Sequence, residues 1–324
     1  MKLLYVIEHF SVRAGLERII SDKMNALIAR GHDVTLLTVW SEPIPFAYPL
    51  DSRIHTHCLG LREPRFRLLY PITLRRVLCR FNRFIHSEQP DVAIFSRAIG
   101  AWLAGRTSWQ GRMVFESHGA RRYSNHRWLY PRMERKVESV VCLTQGDARE
   151  YKTARRVEII PNFTNIRPTG VPDYGAHRVV FVGRRDYQKN LERLHTLWER
   201  VQRTHPDWTL SLHHDTVDVA AAYQQGSIQV LTSRYEGFPM VLLEGQRCGL
   251  PCVAFNCPYG PADIIEDGVT GFLIPYNDDE AFVRRLTQLM DDEVLRRRMG
   301  QAAQEKIHRF DKEKILDQWE RFLS

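Results

Sequence analysis

Leu231-Thr232-Ser233-Arg234-Tyr235-Glu236-Gly237-Phe238-Pro239-Met240-Val241-Leu242-Leu243-Glu244-Gly245-Gln246-Arg247-Cys248-Gly249-Leu250-Pro251 reads as a strand end, a turn and a short helix in succession. The β-rich run from Ser227 delivers the chain to a turn at Tyr235–Pro239. Pro239, with its fixed φ, suits a first helical position, and Gly249 and Pro251 stop a helix over Met240–Cys248. The first turn, Met240 to Leu243, is apolar all round, which predicts burial. Glu244 sits inside that apolar run, where an unpaired carboxylate costs several kcal/mol. A polar partner is therefore required. The free N–H groups of Gly237, Phe238, Met240 and Val241 would form a seat for phosphate or sugar oxygens at the helix N-terminus. Glu236 lies at the mouth of the same turn.

Working outward, the 324 residues suffice for two domains with their own cores. Hydrophobic content of 44% and charged content of 26% are those of a globular chain. No apolar run is long enough to span a membrane, and the apolar part of the N-terminus is too short for a signal peptide. The six cysteines lack zinc-type spacing and are expected as reduced thiols in a cytoplasmic protein. Net charge is +8, unevenly spread. Residues 1–165 hold 26 Lys and Arg against 15 Asp and Glu, and the remainder 20 against 23. The first half thus calls for an acidic partner.

Strands are expected at Leu3–Ile7, Val34–Val39, Val92–Phe95, Met113–Glu116, Val140–Leu143 and Val157–Ile160, alternating with helices as in a doubly wound α/β domain. The segment Ile160-Pro161-Asn162 through Pro172 turns to Pro, Asn and Gly, the composition of a hinge. A second α/β domain opens at Val179-Val180-Phe181-Val182-Gly183-Arg184. Arg184 and Lys189 flank a loop before a helix over 190–203, with a sign that opposes the helix dipole, so an anionic ligand between them is the better reading. His118-Gly119 follows a strand, and the carboxyl ends of such strands face a ligand crevice. Arg75, Arg76, Arg80 and Arg83 recur at helical spacing among Leu74, Val77, Leu78, Phe81 and Phe84. That pattern fits either an ordinary crossover helix or a basic helix lying on an anionic membrane surface.

Glu-Gly-Phe-Pro with a second Glu at the eighth position, 236 and 244, resembles the E-x7-E signature of retaining glycosyltransferases of family 4. Gly183-Arg184-x4-Lys189, the Ile-Pro-Asn hinge and the Cys-Gly-Leu-Pro run strengthen the resemblance, which covers most of the chain and is strongest over 177–275. It implies a GT-B fold of two Rossmann-like domains facing across a cleft: 1–165 for the acceptor, 166–310 for the nucleotide-sugar donor, and 311–324 crossing back to the first. It further implies metal-independent, retaining transfer of a hexosyl group from a nucleotide sugar, expected as a UDP-sugar, to a surface-polysaccharide, lipopolysaccharide or lipid-linked acceptor. No cofactor beyond that co-substrate, no metal and no nucleic acid are implied. Glu236 would hold sugar hydroxyls and Glu244 the ribose. Arg184 and Lys189 would neutralise the diphosphate as it departs, and His118 would orient the sugar. Arg121 and Arg122 would meet acceptor phosphate.

The chain departs from the family twice. Ala14-Gly15 stands where a Gly-Gly pair is usual, leaving only Gly15 permissive. Between Leu212 and Ser227 only about fourteen residues replace a Gly-Asp-Gly-type turn, a helix and a further strand, so the donor domain is abbreviated near 213–226. His213-His214-Asp215 begins that stretch, but adjacent histidines point apart, against a metal site. These departures leave a donor-incompetent binding or scaffold protein as the alternative. A nicotinamide-dependent oxidoreductase lacks its Gly-x-Gly-x-x-Gly. A nucleic-acid binder leaves the acidic second half and buried Glu244 unexplained.

Overall fold

The computed structural model describes residues 1–12, 14–41, 46–64, 66, 68, 70–168, 170–214 and 219–324. They form two compact units: Met1–Ile160 with Leu316–Ser324, and Pro161–Ile315. Arg65 and Arg67 of the basic stretch and Asp215 lie outside the described residues.

The first unit holds β1 (Lys2–Ile7), β2 (Asp33–Trp40), β3 (His55–Leu61), β4 (Val92–Ser96), β5 (Arg112–Ser117), β6 (Ser139–Cys142) and β7 (Val157–Ile159). They make one sheet in the order β3-β2-β1-β4-β5-β6-β7, every pair parallel. β1, β4 and β5 read as near-continuous apolar runs because a parallel sheet is covered on both faces. The sequence pattern does not anticipate β3. His55-Thr56-His57-Cys58 is polar and exposed, since an edge strand pairs on one side only and needs no apolar signature.

The helix Tyr70–Glu88 lays Val77, Phe81 and Ile85 on the core and turns its arginine-rich remainder outward. The last helix, Lys312–Leu323, joins the first unit from Leu316 onward. Arg112 donates to the carbonyls of Phe322, at 2.7 Å, and Leu323, while Arg30 and His32 pair with Asp317 and Glu320.

The second unit holds β8 (Arg178–Val182), β9 (Thr209–His213), β10 (Ile228–Leu231), β11 (Cys252–Asn256) and β12 (Gly271–Pro275) in the parallel order β12-β11-β10-β8-β9. Phe255 stacks on Phe282 at 4.7 Å in its core. Between β9 and β10 the described residues supply one short helix, Val219–Gln224, and no further strand.

Trp319 is buried beneath the end of the first unit's fold. Trp319→Ala is expected to lose about 3–5 kcal/mol, the range for emptying a large aromatic site. Urea unfolding measures it, and a loss below about 1 kcal/mol would mean the terminal helix contributes little to that unit.

Candidate active site

β8 and β10 are neighbours, and the chain leaves them toward opposite edges of the sheet. Their carboxyl ends therefore open a crevice, the usual place for a ligand in an open α/β sheet. The chain leaves β8 at Gly183. A Cβ there would crowd the Phe181 ring at 3.2 Å and touch Lys189 Cε at 3.4 Å, so a side chain here would have to displace that ring. The Gly183 carbonyl accepts a bond from His214 Nδ1 at 2.7 Å, which puts the proton on that nitrogen.

Asp186 then accepts the Lys189 amide at 3.0 Å and faces the Arg184 guanidinium at 3.1 Å. Asn190 is left-handed at φ 54° before the helix Leu191–Gln202. This tight turn drives Lys189 inward. Its Nζ lies 2.7 Å from Glu236 Oε1, both side chains being more than nine-tenths buried. Gln188 Nε2 donates to Glu236 Oε2 at 3.2 Å and to the Tyr235 carbonyl at 3.0 Å. Both carboxylate oxygens of Glu236 thus have donors. The Glu236 backbone is pinned in turn, donating to Pro258 O at 2.7 Å and accepting from Tyr259 at 2.9 Å.

The helix that follows spans Met240–Arg247, and Pro239 is its N-cap, one place earlier than the first helical position expected for it. No side chain caps this end. Among the described residues, the N–H groups of Gly237, Phe238, Met240 and Val241 have no protein acceptor. Gly260, at φ 101°, lets a second loop pack beside Pro239, where a Cβ would come within 2.4 Å of the proline ring. Glu244 is buried a little over one turn into the helix, as its apolar surroundings require. The arrangement can receive an oxyanion on a row of open amides, beside a carboxylate locked by a lysine.

The structure pairs Lys189 with Glu236 rather than leaving it beside Arg184 as a second bare cation. Arg184 is 57% exposed and turned to Asp186. Nothing in the sequence marks Gln188 as a partner of Glu236, and Asp186 is legible only as an aspartate three residues before Lys189.

In the first unit, His118 follows β5 with its Nε2 3.2 Å from Glu116 Oε1. Glu116 is itself ion-paired to Lys23 from the helix Gly15–Ala29, and Lys23 Nζ lies 4.2 Å from the Trp319 ring centre. Burial alone would raise the Glu116 carboxyl, but the charges of Lys23 and His118 outweigh it and hold the pKa down to about 2. Burial pushes Lys23 downward despite its partner. The sequence alone singles out neither residue. The available signal is Lys23 on the same helical face as Ile19 and Leu27, and Glu116 within an apolar strand.

Gly15 opens its helix with free space around it. Two residues on, buried Glu17 binds Arg97 at 2.5 Å, where Arg97 adopts a left-handed φ of 59° at the end of β4. Arg121 is engaged by Glu134 and by the Glu150 carbonyl, whereas Arg122 is exposed. Arg75 and Arg76 are exposed, and Arg80 donates to the carbonyls of Leu59 and Gly60. Just ahead of that helix and in its first turn, Phe66, Leu68 and Ile72 stand exposed. Among the described residues no three His, Cys, Asp or Glu side chains converge as metal ligands.

A Rossmann-like sheet carrying such an anion seat, preceded by a second one, is the architecture of a GT-B transferase. HepE of Anabaena, solved in complex with UDP-glucose, superposes with a TM-score of 0.76 at 15% identity over 100% of this chain and 99% of that one. The fold is GT-B. The family model described as Glycosyltransferase Family 4 matches residues 13–168, and that described as Glycosyl transferases group 1 matches residues 209–306. The amylovoran biosynthesis glycosyltransferase AmsD of Erwinia amylovora is 28% identical, covering 100% of this chain and 99% of the relative. A lipopolysaccharide 1,6-galactosyltransferase of Salmonella typhimurium is 23% identical over 66% of this chain and 69% of its own length. The chain belongs to the group 1, family 4 glycosyltransferases.

Lys189→Ala leaves the Glu236 carboxylate buried without its cation, for an expected loss of about 3–5 kcal/mol in urea unfolding. The double change Lys189→Met with Glu236→Leu is expected to recover most of that loss, and no recovery would show that the pair is not the unit that matters. For Glu116 the folded carboxyl resists protonation down to about pH 2, while its ordinary value is 4.5. The unfolded chain binds the extra proton between these values, so the pair's contribution is full above pH 4.5 and drains away as pH falls toward 2. Glu116→Gln is expected to flatten that acid limb, followed by urea midpoints across the window.

Proposed function

We propose that the protein transfers a hexosyl group, with retention and without a metal, from a UDP-sugar to a surface-polysaccharide, lipopolysaccharide or lipid-linked acceptor. The observation that carries this reading is the row of open amides at Gly237–Val241 beside the locked Lys189–Glu236 pair. A nucleoside diphosphate leaving a sugar gains negative charge, and preorganised N–H donors with a nearby lysine stabilise that charge. Arg184, exposed and held at the surface by Asp186 at 3.1 Å and Gln188 Oε1 at 3.4 Å, is available to swing to the second phosphate. Glu236 accepts sugar hydroxyls and Glu244 the ribose, and the family resemblance assigns the sugar's orientation to His118.

The acceptor hydroxyl oxygen forms the new bond to the anomeric carbon as the carbon–oxygen bond to the diphosphate breaks. The hydroxyl proton passes to the departing phosphate on the same face. The acceptor class is supported by the amylovoran and lipopolysaccharide relatives, and the nucleotide by the UDP-glucose bound to HepE. No described helix is long and apolar enough to cross a membrane. We place the protein on the cytoplasmic face of a membrane, held by the exposed Phe66, Leu68 and Ile72 with Arg75 and Arg76.

A second reading, a protein that binds without turnover, is favoured by the short connection between β9 and β10. Calorimetry against UDP, GDP and ADP separates the two: transfer requires UDP binding, and no heat at millimolar nucleotide favours the scaffold. If transfer is right, Glu236→Gln lowers kcat by about 10²-fold, as for loss of one preorganised polar contact, with nucleotide release from UDP-sugars as the readout. Unchanged release would remove Glu236 from the reaction. Arg75→Glu with Arg76→Glu is expected to lower sedimentation with vesicles containing phosphatidylglycerol, and undiminished sedimentation would return that helix to an ordinary crossover.

A further inference from the structure

Downstream of His118 the chain makes two short 3-10 turns, Arg121–Tyr123 and Arg127–Leu129, packed on one another. Their outer side leaves Trp128 65% and Tyr123 42% exposed, with Arg122 and Arg127 exposed beside them. A tryptophan can bury 150–250 Å², so leaving one in water forgoes a large stabilisation unless something covers it.

This segment is anchored firmly from beneath. The Arg121 guanidinium lies against the rings of Tyr130 and Tyr151, at 5.2 and 4.8 Å, pairs with Glu134 and donates to the Glu150 carbonyl at 2.8 Å. Its amide donates to Asp147 Oδ1 at 3.0 Å, and Asp147 Oδ2 accepts from Ser117 Oγ at 2.6 Å. Ser117 is the last residue of β5, next to His118. The base of the turns is thus tied to the strand end that carries the candidate sugar-orienting histidine, while the outer side carries aromatics and cations with no acidic residue between Arg121 and Tyr130.

We propose that the outer side of residues 121–129 is a docking platform for an anionic glycan. Sugar-ring C–H faces stack on Trp128 and Tyr123, and Arg122 and Arg127 take the carboxylate or phosphate groups of the same chain. A bilayer is the poorer occupant: the neighbours Asn125 and His126 are polar and exposed, and Leu129 is turned into the core. Calling this glycan the acceptor rests on the transferase reading above; the platform itself does not.

The test uses the full chain without nucleotide and three probes: short oligogalacturonates, malto-oligosaccharides of equal length, and phosphatidylglycerol vesicles. Oligogalacturonates are expected to bind by calorimetry, with malto-oligosaccharides weaker. Trp128→Ala, and separately Arg122→Ala with Arg127→Ala, are each expected to weaken oligogalacturonate binding about tenfold, the loss of one interface anchor. All three positions are exposed, so unfolding midpoints should stay near the parent's. Overturning results are no oligogalacturonate binding by the parent chain, unchanged binding by the variants, equal binding of the neutral sugar, or vesicle binding that Trp128→Ala abolishes. UDP titration of the same samples keeps the two readings apart: absent UDP binding with intact oligogalacturonate binding counts against the transferase reading alone.

Discussion

An ammonium and a carboxylate held together out of water, Lys189 on Glu236, are the constraint around which the second unit is arranged. Each alone would carry a desolvation cost of several kcal/mol, which their attraction offsets only with good geometry and with the remaining lone pairs satisfied. Three loops supply that geometry. The Gly183–Asn190 turn brings in Lys189 and sets Gln188 on the second carboxylate oxygen, the Tyr235–Pro239 turn carries Glu236 itself, and the Pro258–Gly260 segment clamps the Glu236 backbone. All three meet where the sheet order reverses between β8 and β10, because only there do strand ends diverge enough to admit side chains from several loops. The open amides ahead of Met240 follow from the same arrangement: with the turn held this way, no side chain reaches back to cap the helix.

The first unit repeats the device with different parts. Lys23 and Glu116 bridge a helix and β5, His118 stands against the carboxylate, and Trp319 covers the lysine from the terminal helix. A buried pair of this kind is weak evidence for net stability but strongly restricts which arrangements are tolerated, since a shift that parts the ions strands both. In each unit, then, the residue proposed to touch sugar is oriented by an ionised group lodged in the interior, Lys189 for Glu236 and Glu116 for His118. The arginines of the first unit divide likewise. Arg80, Arg97 and Arg121 are engaged by carbonyls or buried carboxylates, whereas Arg75, Arg76, Arg122 and Arg127 face water. The positive excess of residues 1–165 therefore overstates the charge available to a partner.

Much of this was legible in the chain. Apolar runs spaced by helices announce parallel sheets, and the Pro- and Asn-rich segment after Ile160 reads as a hinge. The Glu236–Glu244 stretch and the Gly183–Lys189 loop announce the family, later matched over residues 13–168 and 209–306. β3 escaped because a polar edge strand leaves no hydrophobic period to read. Lys23 and Glu116 escaped because their partnership spans 93 positions, and nothing local marks a lysine inside an apolar helix face as paired rather than snorkelling to solvent.

What the amino-acid order determined by itself is periodicity and turn chemistry: which segments bury, where helices start and stop, and which loops carry glycine where backbone must approach closely. What only tertiary structure decided is which charge meets which. Lys189 was expected beside Arg184, and it lies on Glu236, 47 residues away, with Arg184 left to Asp186. The reason is physical. Hydrophobic pattern acts over neighbouring residues and survives in the order of the chain, whereas the pairing of buried ions is set by distances of a few ångströms that exist only once the sheet has brought its strand ends together.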